Sequence, residues 1–351
     1  MKNTIYIMLI LLLPMFSSGQ VPSEGHIYQH PYGITSAGQN AGKSNYGSTI
    51  FGYNANYKGG GYSNSIFGAS AGYQNSGTGV VFIGSGAGRV NRSSYNTFVG
   101  TSSGFKNQYG SNNTFLGNQS GYQNLYGSQN VFIGTYAARN NQYGSHNTVL
   151  GYYAGYNLYS GQRNVYLGAL SGGSGSDNVF IGYQAGYGVT ESHRLYIENS
   201  NAKVPLIYGE FDTNKVGVNT NSVPTGYTFA VNGKTIAEEV KVKLYASWPD
   251  YVFDKTYHLP SLQEVEKHIT EKGHLHNIPT AETVKENGGF LLGEMHVKLL
   301  EKVEELTLYA IAQEKEISSQ KAKMLQVQEK NETLEVRLAK LEAQINALLK
   351  E

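Results

Sequence analysis

Tyr109, Tyr126, Tyr143 and Tyr159 each fall in a polar turn of a repeating pattern. A phenol ring has an apolar body and a polar tip, so a row of them suits contact with sugars or with another protein. These four residues are the candidate surface-binding set. A second row, Tyr57, Tyr73, Phe105, Tyr122, Tyr156 and Tyr187, follows a small-residue corner. It reads first as a structural ladder along the edge of the repeat. His274-Leu275-His276 is the one metal-like feature. On an extended strand the two imidazoles would point the same way, and three chains would bring six of them to an axis. Against that stand two polar loop histidines after a helix stop, and we expect no metal and no cofactor there. Ser261 is accounted for by helix capping. Residues 45–188 hold one histidine, His146, and almost no carboxylates. General acid–base work needs such groups in pairs, so no catalytic residues are assigned and the chain is not expected to be an enzyme.

The composition agrees with that exclusion. Cysteine is absent, which removes disulfides, thiolate metal sites and cysteine catalysis. The formal net charge of +1 gives no global pull toward nucleic acid. The average conceals a division: residues 21–190 carry +5 and residues 191–351 carry −5. The first stretch also holds 34 of the 43 glycines, so two kinds of structure are expected in one chain.

A glycine following an apolar pair recurs at Gly52, Gly68, Gly84, Gly100, Gly117, Gly134, Gly151, Gly168 and Gly182. The spacings are 16, 16, 16, 17, 17, 17, 17 and 14 residues. Self-similarity at a fixed period signals a solenoid, and a unit this short has no room for a helix. Four residues before the glycine stands a column of asparagines, among them Asn96, Asn113, Asn130, Asn147 and Asn164. Stacked coils would bring these amides about 4.8 Å apart, close enough for a ladder. Corner pairs such as Ser103-Gly104 and Ser120-Gly121 permit a positive φ and close approach.

The β run of each unit is apolar on both faces. Phe82, Phe98, Phe115, Phe132, Val149, Tyr166 and Phe180 lie on one, and Ile83, Val99, Leu116, Ile133, Leu150, Leu167 and Ile181 on the other. Such strands are ordinarily buried on both sides, whereas a thin solenoid has only one inside. The outer stripe therefore calls for a partner, most simply identical chains.

The flanking segments complete the layout. Residues 1–19 have a basic start, a short apolar core and small residues before the cut, and read as a secretory signal peptide. Residues 20–44 form a lead-in, 45–188 the β-solenoid head, 189–243 a β connector with a hairpin signal at Asn232-Gly233. Residues 244–291 read as a small α/β module, with a capping box at Ser261 and Glu264 and a stop at Gly273. From 292 to 351 an apolar seam alternates three and four residues through Leu299, Val303, Leu306, Ile317, Met324, Leu334, Leu341 and Leu348. That is a heptad pattern, and a coiled-coil stalk is expected. No second apolar stretch is long enough to span a bilayer, so no membrane insertion of the mature chain is expected.

Runs such as NTFVGTSSGF, NTFLGNQSGY and NVFIGYQAGY resemble the head repeats of trimeric autotransporter adhesins of the Yersinia adhesin type. The resemblance implies a left-handed parallel β-roll built from three chains. This chain departs from it in longer units, more tyrosine and no C-terminal membrane barrel. WPDYVFDKTYHLPSLQEVEKHITEKGHL, NIPTAETV, LLGEM and LLEKVEELTLY resemble the C-terminal region of tail-fibre-domain proteins secreted by Bacteroidetes. Together these imply an exported homotrimeric fibre, adhesive or structural at the cell exterior, with a glycan or protein receptor. The alternative is a tail-fibre-like protein whose C-terminal part is an intramolecular trimerisation chaperone, either retained or removed by autoproteolysis. A glycan-active fibre is a further rival, disfavoured by the sparse carboxylates.

Overall fold

A computed structural model describes residues 28–30, 33–42, 46–243 and 248–349. The segment 1–19, read as an export signal, lies outside them. The chain divides into two compact units, one ending at Thr235 and the other beginning at Ile236.

The first unit is a β-solenoid. Its strands are β1 (Tyr28–His30), β2 (Ile34–Ala37), β3 (Thr49–Phe51), β4 (Ser65–Phe67), β5 (Val81–Ile83), β6 (Thr97–Val99), β7 (Thr114–Leu116), β8 (Val131–Ile133), β9 (Thr148–Leu150), β10 (Val165–Leu167), β11 (Val179–Ile181), β12 (Arg194–Ile197), β13 (Ile207–Glu210), β14 (Lys215–Val218) and β15 (Phe229–Val231). They lie in chain order in one sheet. From β2 to β12 each strand pairs in parallel with the next, one coil per strand. β1 and β2 form an antiparallel hairpin at one end, and β12, β13 and β14 an antiparallel meander at the other.

The parallel stack is longer at both ends than the repeat pattern predicts. At the start, Ser36 stands where later coils have an aliphatic or aromatic residue, yet it pairs with Ile50 and is buried. At the end, Tyr196 pairs with Phe180, but Glu198 replaces the expected glycine after Ile197. The ladder of backbone hydrogen bonds continues where the side-chain signature stops.

The inside of the coils is the face occupied by phenylalanine. Phe82, Phe98, Phe115 and Phe132 are fully buried. They stack on one another at centroid distances of 5.1, 4.8 and 4.7 Å. Val149, Tyr166 and Phe180 continue the column. Burial pushes the Tyr166 phenol up to about 12, which keeps it neutral. The other face of the same strands is open: Phe67, Ile83, Leu116 and Leu150 are 38–46% exposed.

Two asparagine ladders satisfy the buried backbone of the turns. In the expected one, the Asn113 amide N–H donates to Asn96 Oδ1 at 2.9 Å, and Asn130 and Asn147 repeat the bond. Each side chain also donates to a glycine carbonyl one coil on, as Asn113 Nδ2 does to Gly127 at 2.8 Å. The second ladder, Asn75, Asn91, Asn107, Asn124 and Asn141, links side chain to side chain at 2.6–2.7 Å. Buried amides cost free energy unless paired, and here one residue type serves donor and acceptor on both neighbours.

The second unit is helical. A 3-10 turn (Pro249–Phe253) precedes α1 (Leu262–Lys272), α2 (Ala281–Glu286) and α3 (Leu292–Leu348). The Ser261–Glu264 capping box and the left-handed Gly273 stop are formed as the sequence predicts. The regular elements described between 248 and 291 are helical, so the strand component expected of an α/β module is not found among the described residues. Likewise no strand follows Asn232-Gly233 among the described residues; that turn ends β15 instead of joining a hairpin. α3 is 57 residues long, about 85 Å. No helix of the described residues is long and apolar enough to cross a membrane.

Candidate functional site

The turn tyrosines are aligned by the backbone of successive coils. The Tyr109 N–H donates to the carbonyl of Leu125, Tyr126 to Gln142, and Tyr143 to Tyr159. The four side chains are 46–50% exposed. Tyr109 and Tyr126 stack at 5.1 Å and 13°, Tyr126 and Tyr143 at 5.3 Å and 8°. Tyr143 and Tyr159 meet edge-on at 64°, where the Tyr159 hydroxyl donates to Gln142 Oε1 at 2.9 Å. The structure thus brings all four together in one row. Parallel rings cover each other's faces, so the row turns its edges and hydroxyls outward. Chemically it is a polar-tipped ridge and not a set of open stacking platforms.

The corner column holds more than the aromatic reading found. Tyr73, Phe105 and Tyr122 are in it, and Phe105 stacks on Tyr122 at 5.1 Å. The coil between Tyr73 and Phe105 supplies Arg89, whose guanidinium lies over both rings at 5.2 and 5.4 Å. Arg139 stands one coil after Tyr122 and lies over its ring at 5.0 Å. Lys58 and Lys106 approach Tyr73 and Tyr122 at 5.8 and 5.7 Å. A signal was present in the chain: Arg89 follows the Ala87-Gly88 corner at the offset where its neighbours are aromatic. Searching for rings alone passes over it.

His274 and His276 do not lie on a strand. They occupy the turn after Gly273, and both approach His268 of α1, with ring centroids 5.3 and 5.4 Å away. Burial and the two neighbouring imidazoles hold His268 below the ordinary histidine range. Among the described residues no group of three or more such side chains is placed to hold a metal ion. His276 and His268 instead line a pocket of about 460 Å³, with Tyr257, Glu264 and Glu305. Ser261 is engaged in its cap: its hydroxyl donates to Glu264 Oε2 at 2.8 Å and accepts from the Glu264 N–H. Both the donor and the acceptor capacity of the hydroxyl are thus used in closing the first turn of α1.

The start of α3 carries buried charge. Glu301, Glu304 and Glu305 are 6–8% exposed. Burial works to raise the Glu301 carboxyl, but hydrogen bonds from Tyr251, Lys302 and Asn277 outweigh it and hold the group below the usual carboxylate range. Tyr257 donates to Glu305, and Lys302 bridges the two carboxylates at 2.9 and 2.8 Å. This cluster clasps the 3-10 turn and the loop after it onto the helix. Further along α3 the seam residues Leu306, Ile317, Met324, Leu334 and Leu341 are 50–66% exposed.

Comparisons of the chain with protein-family models, with curated proteins and with solved structures returned no match.

Proposed function

We propose that the chain is an exported homotrimeric fibre with an adhesive or structural role at the cell exterior. The unpartnered outer stripe of the β runs carries the proposal. Phe67, Ile83, Leu116 and Leu150 lie on one line of the stack and are 38–46% exposed, with Val99 and Ile133 on the intervening coils and about 4.8 Å between successive coils. An apolar ridge of this length on an exported protein is an association surface, and identical chains meeting about an axis cover it without leaving an edge. The exposed heptad seam of α3 favours the same answer, because a long helix with an apolar stripe is stable in water when the stripe is packed. The likeness of the repeats to trimeric adhesin heads supports three chains and a left-handed roll, and the apolar core of residues 1–19 supports export. The tyrosine ridge would then be the surface offered to a glycan or protein receptor.

In this reading the stalk sets the rate at which chains find each other. A chain ending at residue 290 keeps the solenoid but loses the seam from Leu292 onward. It should assemble slowly or not at all after dilution from denaturant, followed by size-exclusion chromatography. Assembly at the rate of the full chain would contradict the role given to α3. The chaperone alternative separates by mass. Mature secreted protein should be intact, whereas loss of about 100 C-terminal residues would favour cleavage after assembly.

A further inference from the structure

The corner column has the chemistry of a site for a polyanion. Among residues 46–190 the only carboxylate is Asp177, and Arg163 holds it through two bonds of 2.6 and 2.8 Å. Lys58, Arg89, Lys106 and Arg139 therefore have no carboxylate partner in the coils that carry them. They are not scattered. Backbone bonds from Lys58 to Tyr73, from Gln74 to Arg89, from Val90 to Phe105, from Lys106 to Tyr122 and from Gln123 to Arg139 place Arg89 and Arg139 in the ring column and Lys58 and Lys106 in the position beside it, from which the two ammonium groups reach back over the rings of Tyr73 and Tyr122. Aromatic rings alternate with the charges and hold the two guanidinium groups in place.

The line lies across the coil from the outer stripe. A Cβ added at Gly88 would meet the Phe82 ring at 2.6 Å, and one at Gly104 the Phe98 ring at 2.5 Å. The inward phenylalanines thus point from the strand to the corner, and Arg89 and Phe105 follow those corner glycines directly. Association through Ile83 and Leu116 leaves this side open.

We infer that the line from Lys58 to Arg139 binds an acidic polysaccharide, a chain of sugars bearing carboxylates. This rests on the adhesive reading above and names the class of its ligand. Arg89 makes no side-chain hydrogen bond among the described residues, so the in-plane donors of its guanidinium are available to a carboxylate as a bidentate pair. Ring edges on either side give a sugar its apolar contact. Charge spacing selects the polymer. Four cations over five coil steps of about 4.8 Å give one per about 6–8 Å, far sparser than the one charge per about 1.7 Å of duplex DNA. Single-stranded nucleic acid would need open ring faces to stack on, and here guanidinium groups and neighbouring rings occupy them.

The test uses the full chain on immobilised polygalacturonate, with neutral galactan, single-stranded DNA and anionic phospholipid vesicles beside it. Binding to polygalacturonate alone, weakening as salt rises, is expected. The R89Q/R139Q variant should bind at least about tenfold more weakly, the loss of one charge-assisted pair, while R163Q should match the parent. Should R89Q/R139Q fail to fold by thermal unfolding, K58Q/K106Q alters only exposed lysines and should still weaken binding several-fold. Equal retention on galactan, preference for DNA or vesicles, or unchanged binding by a folded variant would overturn the inference. A trimer that ignores polygalacturonate overturns this ligand alone. A monomer overturns the fibre reading beneath it.

Discussion

Phe115→Ala should lower the stability of the solenoid by about 3–5 kcal/mol, and Leu116→Ala should cost a comparable amount, about 2–5 kcal/mol. The two residues are adjacent and face opposite ways. Phe115 is fully buried between Phe98 and Phe132, so its loss opens a cavity in the ring column whatever the assembly. Leu116 is 46% exposed in one chain. In a lone solenoid its truncation would stay within about 0.5 kcal/mol. Packed against a second chain, it loses buried surface as any core leucine does. Thermal unfolding of both variants beside the parent, at a fixed protein concentration, separates the cases. A Leu116→Ala transition at the parent's temperature would mean that the outer stripe is not an interface.

Gly117→Ala should destabilise the head by about 2–6 kcal/mol, through two costs of similar size. Gly117 has φ +134, a backbone region that side chains with a Cβ rarely enter. The added Cβ would also lie 2.5 Å from the carbonyl oxygen of Gly134 in the next coil. That oxygen belongs to the backbone and cannot swing aside, so the coil spacing itself has to open. Circular dichroism melting is the measure. An unchanged melting temperature would mean that the coils do not stack as closely as described.

The period of the solenoid was plain from the glycine column because that column answers to one hard constraint, the approach of one backbone to the next. The inward face could not be named from the β runs, since Phe115 and Leu116 are both apolar. Only the corner glycine behind the ring distinguishes them: a Cβ at Gly121 would strike Phe115 at 2.5 Å. Residues with positive φ ahead of the asparagine column escaped notice for the opposite reason. Tyr95, Asn112, Gln129, His146, Arg163 and Asp177 all take that conformation, and no common side-chain type marks the position. The tyrosine row was found from spacing alone, but its face-to-face stacking, which decides what it can present, depends on side-chain torsions. Arg89 and Arg139 were missed because a guanidinium substitutes for a ring in a stacked column without looking like one. In the second unit the capping box and the glycine stop were found at sight, being local rules. The buried Glu301 and Glu305 were not, because their partners Tyr251 and Tyr257 stand about fifty residues earlier.

Sedimentation equilibrium of the mature protein at micromolar concentration bears most directly on the trimer. A single species of three times the chain mass is the expected result, holding across dilution and retained in moderate salt, since the proposed contacts are apolar. A stable monomer would contradict it, and would leave both the outer stripe and the α3 seam facing water.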